Sequence, residues 1–308
     1  MELYFLGTGA GLPSKQRNVS AVALTMYNER GTMWMFDCGE ATQHQMIHSP
    51  LRLAKLEKLF ITHLHGDHIF GIPGLLASRS SQGAVSPLTI YGPPGIRSFV
   101  DTVLKISQSY LQYPVQIVEI EQGIIFTDDK FTVYAGMLEH GIPSYGYRVV
   151  EHDLPGTFFP EKAKAAGVQA GPMFAQLKRR ERVTLEDGTV LDGNDFVGED
   201  QAGRVVVVAG DTKPCAKMLE LADCADVLVH EATFAEDERK LAKKYNHSTA
   251  LEAAQLAREA NVKKLLITHI SARYQGSAEH LLLAEARSLF PETHIALDHY
   301  SVKIERKS

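Results

Sequence analysis

The sequence predicts an α/β protein in which helices cover β-sheets, and two observations support this prediction. Short runs rich in β-branched and aromatic residues alternate with segments of helical spacing along most of the chain. The 308 residues favour one large domain or two small ones, and an apolar fraction of 44% is typical of a globular protein. Alternation of this kind implies layers of helices packed on sheets.

The elements of the N-terminal half are predicted from these runs in chain order. VSAVALTMY (19–27) and MWMF (33–36) predict strands, and EATQHQMIH (40–48) predicts a helix. A second predicted helix is GIRSFVDTVLKIS (95–107), and further strands are predicted at KLFIT (58–62), LTIY (88–91), VQIVEI (115–120) and KFTVYAG (130–136).

The last third of the chain predicts short, strongly apolar strands at RVVVVAG (204–210), DVLVHE (226–231), KKLLITH (263–269) and HIAL (294–297). Helical stretches near 214–222, 236–245, 248–260 and 278–289 lie between them or follow them. The segment 151–198 interrupts the alternation with Gly, Pro and turn signals. We expect a single domain, 1–308, from which this segment projects as an inserted arm with a short helix and a hairpin of its own.

Composition limits the classes of function. A net charge of −5 argues against a generic nucleic-acid binder, so any nucleic-acid contact must use a local patch. One candidate patch is 162–182, with six basic residues and one acidic residue. Three scattered cysteines do not predict a disulfide framework, and no apolar run is long enough for a membrane span. We therefore expect no signal peptide, no membrane contact and a cytoplasmic location.

The segment FITHLHGDH (60–68) carries the strongest chemical signal in the chain. His63 and His65 follow a predicted strand and are two residues apart, so both imidazoles can face one ion. Gly66 permits a turn that directs Asp67 and His68 toward a second position. Neutral imidazole and carboxylate are ligands that suit zinc or another borderline divalent metal.

Three further candidate ligands each follow an apolar run: His140, Asp211 and His269. Each of them alone is more often structural than functional. Together with the four ligands of the HLHGDH segment they make seven, which is the number that two metal sites need if one carboxylate bridges them and each site keeps an open position.

The residues HLHGDH resemble the HxHxDH motif of the metallo-β-lactamase superfamily. The resemblance implies an αββα sandwich with the metal centre at one edge of the sheets. It implies one ion at His63, His65 and His140, and a second at Asp67, His68 and His269, with Asp211 bridging. Position 65 is a histidine and not the acidic residue of the family's di-iron oxygen-reducing branch, which favours zinc. The resemblance therefore implies two zinc ions per subunit.

Within this superfamily the chain is similar along nearly its whole length to the ribonuclease Z family of tRNA 3′-processing endonucleases. Four features carry the similarity: PSKQRN (13–18), HEAT (230–233), HST (247–249) and the Gly171–Pro172 pair in the inserted segment. The resemblance implies a precursor tRNA substrate, cleavage that leaves a 3′-hydroxyl on the tRNA, and a homodimer. In that dimer, the arm of one subunit would hold the tRNA for the other subunit's site.

Three candidate catalytic residues follow from these motifs. Asp67 is a predicted metal ligand that also accepts or orients the proton of the attacking water. His247, oriented by Glu231, assists departure of the ribose 3′-oxygen. The alternative for His247 is a structural role at the start of the helix that follows.

Candidate substrate-binding residues are less specific. Lys15 and Arg17 are predicted to contact phosphate or the tRNA 3′ end, unless they belong to a solvated loop. Arg273 is predicted to meet phosphate and Tyr274 to stack on a base, the alternative being a surface arginine and a packed aromatic. Four basic side chains of the inserted segment are predicted to bind the tRNA body: Lys178, Arg179, Arg180 and Arg182. The alternative is a solvated charge run.

Two competing functions share parts of this pattern. A hydrolase of small esters, lactones or sulfates on the same fold would need the metal ligands but neither a basic arm nor the PSKQRN loop. A catalytically silent RNA-binding scaffold would lack some of the ligands, and none of the seven is missing from this sequence.

Overall fold

The computed structural model describes residues 1–306. Its N-terminal half contains β1 (Glu2–Gly7), β2 (Ala21–Met26), β3 (Thr32–Phe36), α1 (Thr42–Ile47), β4 (Leu56–Phe60), α2 (Gly66–Ile69), α3 (Ile72–Ser81), β5 (Leu88–Gly92), α4 (Ile96–Ile106), β6 (Val115–Glu119), β7 (Gly123–Thr127), β8 (Phe131–Leu138) and β9 (Ser144–Glu151).

The C-terminal half continues with α5 (Pro160–Ala165), α6 (Pro172–Lys178), β10 (Arg182–Thr184), β11 (Val190–Asp192), β12 (Val205–Val208), α7 (Ala216–Ala222), β13 (Val227–Glu231), α8 (Arg239–Tyr245), α9 (Ala250–Glu259), β14 (Leu265–Thr268), α10 (Glu279–Leu289), β15 (Thr293–Ile295) and β16 (Ser301–Lys303). Between residues 1 and 306, no helix is both long and apolar enough to cross a bilayer.

Two seven-stranded sheets organise the larger part of the chain, residues 1–150 and 205–305. The first has the strand order β16-β1-β2-β3-β4-β5-β6 and is parallel from β3 to β6. The second has the order β15-β14-β13-β12-β9-β8-β7 and is parallel from β15 to β12.

The inner faces of the two sheets share one buried apolar cluster. Phe60 of the first sheet and Tyr147 of the second meet there, with ring centroids 5.3 Å apart. The outer face of the first sheet is covered by α1, α3 and α4, and that of the second by α7, α9 and α10. This layering confirms the predicted αββα sandwich.

Parallel strands explain why polar side chains gather at one edge of each sheet, because their carboxyl ends lie on the same side. In the first sheet, His63 follows β4 after a short loop. In the second, Asp211 follows β12, Glu231 ends β13 and His269 directly follows β14.

Residues Glu151–Arg204 form a second compact unit together with Arg306. The buried side chains of Glu151 and Arg204 pair at its two ends, with Nε 2.7 Å from Oε2. The unit contains the predicted hairpin, β10–β11, and two short helices where we expected one. It has a small apolar core of Ala163, Val168, Leu177, Val183 and Phe196. That this segment projects from a single domain as a mobile arm stays a prediction.

Candidate active site

The first ligand group, His63, His65 and His140, brings three ring nitrogens together. His65 Nδ1 lies 3.0 Å from His63 Nε2 and 3.3 Å from His140 Nε2. The carbonyl oxygen of Asn246 lies 3.0 Å from His140 Nδ1 and can only accept, so His140 carries its proton on Nδ1 and directs its Nε2 lone pair inward. A single N–H of His65 cannot satisfy both neighbours, whereas one cation accepts lone pairs from all three rings.

The second ligand group consists of Asp67, His68, Asp211 and His269, whose ligand atoms all lie within 4.8 Å of one another. His68 Nδ1 donates to Asp37 Oδ2 at 2.7 Å, which leaves His68 Nε2 facing the group. This Nε2 is buried, and no hydrogen-bond partner for it exists within residues 1–306. An orphaned nitrogen 3.5 Å from two carboxylate oxygens, those of Asp67 and Asp211, fits a divalent cation.

One carboxylate oxygen faces both groups. Oδ2 of Asp211 lies 3.7 Å from Nε2 of His63, 3.5 Å from Nε2 of His68 and 3.3 Å from Nε2 of His269. Burial raises the pKa of the Asp211 carboxyl, but the surrounding imidazoles outweigh this and hold the pKa well below its usual value. The carboxylate is therefore ionised and placed as a bridge requires.

Asp67 lies at the exposed side of the second ligand group. Its Oδ2 accepts a hydrogen bond of 2.8 Å from the backbone N–H of Gly11, in the loop GTGAG that follows β1. The same oxygen lies 3.3 Å from His269 Nε2. The Gly11 contact therefore places this loop directly beside the second ligand group.

His247 and Glu231 form a pair beside both ligand groups. His247 Nδ1 lies 2.8 Å from Glu231 Oε1, and the His247 ring centroid is 5.1 Å from that of His140 and 5.5 Å from that of His269. Burial lowers the pKa of His247, but the carboxylate of Glu231 and then that of Asp211 raise it to about 9. With Nδ1 held by Glu231, Nε2 is the nitrogen that remains for a substrate.

The helix-start role considered for His247 belongs to another residue. Thr249 is the N-cap of α9, and its hydroxyl accepts from the Glu252 N–H in a capping box. His247 lies two residues earlier, after Asn246 ends α8 in a left-handed conformation.

Two predicted substrate-binding residues need correction because the structure buries them. Arg17 is 3% exposed, and its guanidinium donates to Thr8 Oγ1 at 2.7 Å and to Glu279 Oε2 at 2.6 Å, so it has no free face for phosphate. Tyr274 is 8% exposed, and its hydroxyl accepts from the Ala235 N–H at 2.9 Å. It is the packed aromatic of the alternative and not a base-stacking ring.

Lys15 and Arg273 are both exposed, as phosphate contacts require. Arg273 Nη1 lies 3.3 Å from Glu238 Oε1 and its guanidinium lies 6.0 Å from the Phe234 ring centroid. An exposed pair of this kind is weak, so the guanidinium can exchange the carboxylate for a phosphate.

The basic cluster of the second unit is less positive than its sequence indicates. Residues 151–204 contain ten acidic and seven basic side chains. Three of the four predicted contacts form exposed ion pairs within the unit: Arg179 with Glu181, Arg180 with Asp200 and Arg182 with Asp192. Lys178 is exposed and has no ion pair within residues 1–306. Phosphate binding at the three paired arginines must displace carboxylates. Binding of tRNA by this cluster stays a prediction.

Two further residues, Asp37 and Thr233, orient the candidate ligands and were not predicted from the sequence. Asp37, at φ 58° after β3, accepts from the backbone N–H of Thr62 at 2.7 Å as well as from His68. The Thr233 hydroxyl donates to Glu231 Oε2 at 2.6 Å and lies 2.9 Å from His269 Nδ1. Asp37 was detectable as a carboxylate directly after an apolar strand, and Thr233 as the last residue of the HEAT motif (230–233), although the contacts of Thr233 were not predicted.

Comparison with known proteins identifies relatives of this chain. A family model described as anti-Pycsar protein Apyc1 matches residues 1–128, which is less than half of the chain. Ribonuclease Z of Geobacillus kaustophilus is 57% identical over 306 residues, 99% of this chain and 100% of that relative. Ribonuclease Z of Anoxybacillus flavithermus is 55% identical over 307 residues, 100% of this chain and 98% of that relative.

Solved structures agree with these relatives. Human tRNase Z, short form, superposes with a TM-score of 0.72 at 30% identity, covering 99% of this chain and 100% of that one. The metallo-β-lactamase fold protein YhfI of Bacillus subtilis has a TM-score of 0.68 at 19% identity, covering 98% of each chain, and supports the fold alone. The chain therefore belongs to the ribonuclease Z family and has the metallo-β-lactamase fold.

Proposed function

We propose that this protein is an endoribonuclease that removes the 3′ trailer from precursor tRNA. The observation that carries the proposal is the pair His247–Glu231 held beside two convergent ligand groups, because phosphodiester cleavage needs both activation of the phosphate and assistance to the leaving oxygen. The similarity to ribonuclease Z relatives supports tRNA as the substrate.

We propose that the two ligand groups hold two zinc ions. His63, His65 and His140 would hold one ion, Asp67, His68 and His269 the other, and Asp211 both. When bound, the ions supply Lewis-acid polarisation of the phosphate and lower the pKa of the attacking water. Imidazole-rich ligand sets with few carboxylates favour zinc over magnesium or calcium.

The protein side chains have separate tasks in the proposed reaction. Asp67, with Oδ2 fixed by the Gly11 N–H, orients the attacking water and accepts its proton. His247 donates a proton from Nε2 to the departing 3′-oxygen. Glu231 is a positioning residue that fixes the His247 ring through Nδ1.

Three further parts of the proposal concern the setting of the reaction. We propose a homodimer in which the unit 151–204 of one subunit holds the tRNA for the other. We also propose a cytoplasmic location, which the unpaired thiols of Cys38, Cys215 and Cys224 support. A native mass of twice the chain's 34.0 kDa is expected in sedimentation.

To test the proposal, the metal-free and the zinc-loaded protein are each incubated with one precursor tRNA that carries a 3′ trailer. We expect zinc-dependent cleavage into a tRNA with a 3′-hydroxyl and a trailer with a 5′-phosphate. Asp67→Ala should lower turnover more than ~10²-fold while tRNA binding persists, because loss of a general base alone costs ~10²–10⁴-fold. Asp101→Ala, an exposed carboxylate of α4, is the control. Cleavage of small esters without cleavage of precursor tRNA would contradict the proposal.

A further inference from the structure

Phe70 is an exposed aromatic side chain beside the second ligand group. It follows α2 directly, two residues after His68, and is 63% exposed. Isolated exposed apolar side chains are common on protein surfaces. Phe70 differs because its ring is held in a fixed position by the backbone of the ligand segment.

Gly66 provides the seat for this ring. A Cβ added at Gly66 would lie 2.2 Å from Cε2 and 2.6 Å from Cζ of Phe70, so one edge of the ring rests directly on the Gly66 backbone. Gly66 begins α2 and is helical, so its backbone conformation does not itself require glycine. The absence of a side chain at Gly66 therefore leaves space for the Phe70 ring.

The backbone around Phe70 is also fixed. The Phe70 N–H donates to the Gly66 carbonyl at 2.9 Å, and the Gly71 N–H donates to the Cys38 carbonyl at 2.9 Å. A Cβ at Gly71 would lie 1.9 Å from the Gly39 carbonyl oxygen, so this corner packs closely against the chain after β3. The exposed ring thus stands on a rigid base and loses little conformational entropy on contact with a ligand.

Phe70 shares a helical face with Asp67. Residues three apart on a helical turn are neighbours, with Cβ atoms about 5–6 Å apart. A phosphodiester held at Asp67 therefore places an adjoining nucleoside within reach of the ring of Phe70.

We propose that Phe70 stacks on the nucleobase adjacent to the scissile phosphate and so positions the RNA for cleavage. This inference rests on the proposed function, since it assumes an RNA substrate at the ligand groups. Stacking on an aromatic ring accepts any base because every base has a π-face, so Phe70 contributes position and affinity without sequence preference.

The test is a double-mutant cycle between protein and RNA. Phe70→Leu keeps an apolar side chain without a ring, and Phe70→Trp keeps a ring. The substrates are one precursor tRNA and two versions with an abasic nucleotide, on the 5′ or the 3′ side of the cleavage point. Ile106→Ala is the control, because Ile106 is 77% exposed on α4, which carries none of the site residues. Melting temperature and zinc content are measured for every variant.

We expect Phe70→Leu to lower kcat/KM on the intact precursor by ~5- to 100-fold, mainly through KM, and Phe70→Trp to stay within a few-fold of wild type. On the abasic substrate that lacks the stacked base, Phe70→Leu should cause no further loss. An equal loss on all three substrates, or no loss on the intact one, overturns the inference.

If Phe70→Leu loses zinc or stability, the inference is tested with Phe70→Trp instead. This variant must retain the wild-type kcat/KM on the intact precursor, and removal of the stacked base must lower its kcat/KM as much as it does for the wild type. A wild-type protein that does not cleave the precursor overturns the proposed function together with this inference. Cleavage without any dependence on the Phe70 ring overturns the inference alone.

Discussion

Asp37→Asn should weaken metal binding at the second ligand group without unfolding the protein. Asp37 has φ 58°, and asparagine tolerates this left-handed conformation at least as well as aspartate. The amide oxygen can still accept from the Thr62 N–H, which lies 2.7 Å from Oδ1. The amide nitrogen then takes the position of Oδ2 and faces the N–H of His68 Nδ1.

The expected loss of metal affinity follows from the two N–H donors that would then face each other. To keep the hydrogen bond, His68 must move its proton to Nε2, the nitrogen that the metal needs. Removing a partner of this kind commonly costs ~10–100-fold in metal affinity. That range corresponds to ~1.4–2.8 kcal/mol, which agrees with the ~1.5–3 kcal/mol of a hydrogen bond to a charged group.

The assay is a zinc titration of metal-free protein against a chelating dye, with Asp101→Asn, an exposed carboxylate of α4, as the matched control. One of the two binding constants should fall and the other should stay at its wild-type value, and excess zinc should restore cleavage of precursor tRNA. Two unchanged constants would refute the reasoning. A joint fall of both constants with a lower melting temperature would also count against it, since that indicates general damage.

Three other predictions test the remaining assignments. His247→Ala should slow precursor tRNA cleavage by ~10²–10⁴-fold but bis(p-nitrophenyl) phosphate hydrolysis far less, because nitrophenolate leaves without a proton; similar losses would mean that His247 acts structurally. Arg17→Ala should lower the unfolding free energy by ~1–3 kcal/mol, because it removes the hydrogen bonds of a buried guanidinium, including the ion pair with the partly buried Glu279, whereas Lys15→Ala in the same loop should change it by less than ~0.5 kcal/mol; denaturant titration compares them. Alanine at four basic positions of the second unit, Lys178, Arg179, Arg180 and Arg182, should flatten the log–log salt slope of precursor tRNA binding. The slope should fall by somewhat under one unit for each phosphate that the variant no longer neutralises. An unchanged slope would favour a solvated charge run.

Many of the strands, and the places of the candidate ligands after them, were predictable because their signals are local. β4 and β14 are apolar runs that end just before His63 and His269, and both signals lie within a few residues. Helix α3 was missed because Pro and Gly follow its first residue, Ile72, and because it has little amphipathic pattern. Packing of Leu75 and Leu76 against the first sheet stabilises it. Strand β9 was missed because SYGYRVVE opens with residues typical of a turn.

The roles of basic residues were the least predictable part, because a sequence does not indicate where counter-charges lie in space. Arg17 reads as an exposed loop residue, yet its partner Glu279 is 262 positions away. Asp200 lies twenty positions from Arg180 and still pairs with it. A charge excess counted over a short window therefore predicts a binding patch only when distant acidic residues do not fold onto it.

The Thr233 hydroxyl has a consequence for any attempt to redesign this enzyme. It contacts Glu231, which orients the proposed acid, and His269, which belongs to the second ligand group. Substitutions that retune proton donation will therefore alter metal affinity as well, and the two properties will show epistasis instead of independent optimisation. Directed evolution toward a new leaving group should accordingly find paired changes, one near His247 and one that restores the ligand sphere, more readily than single improvements.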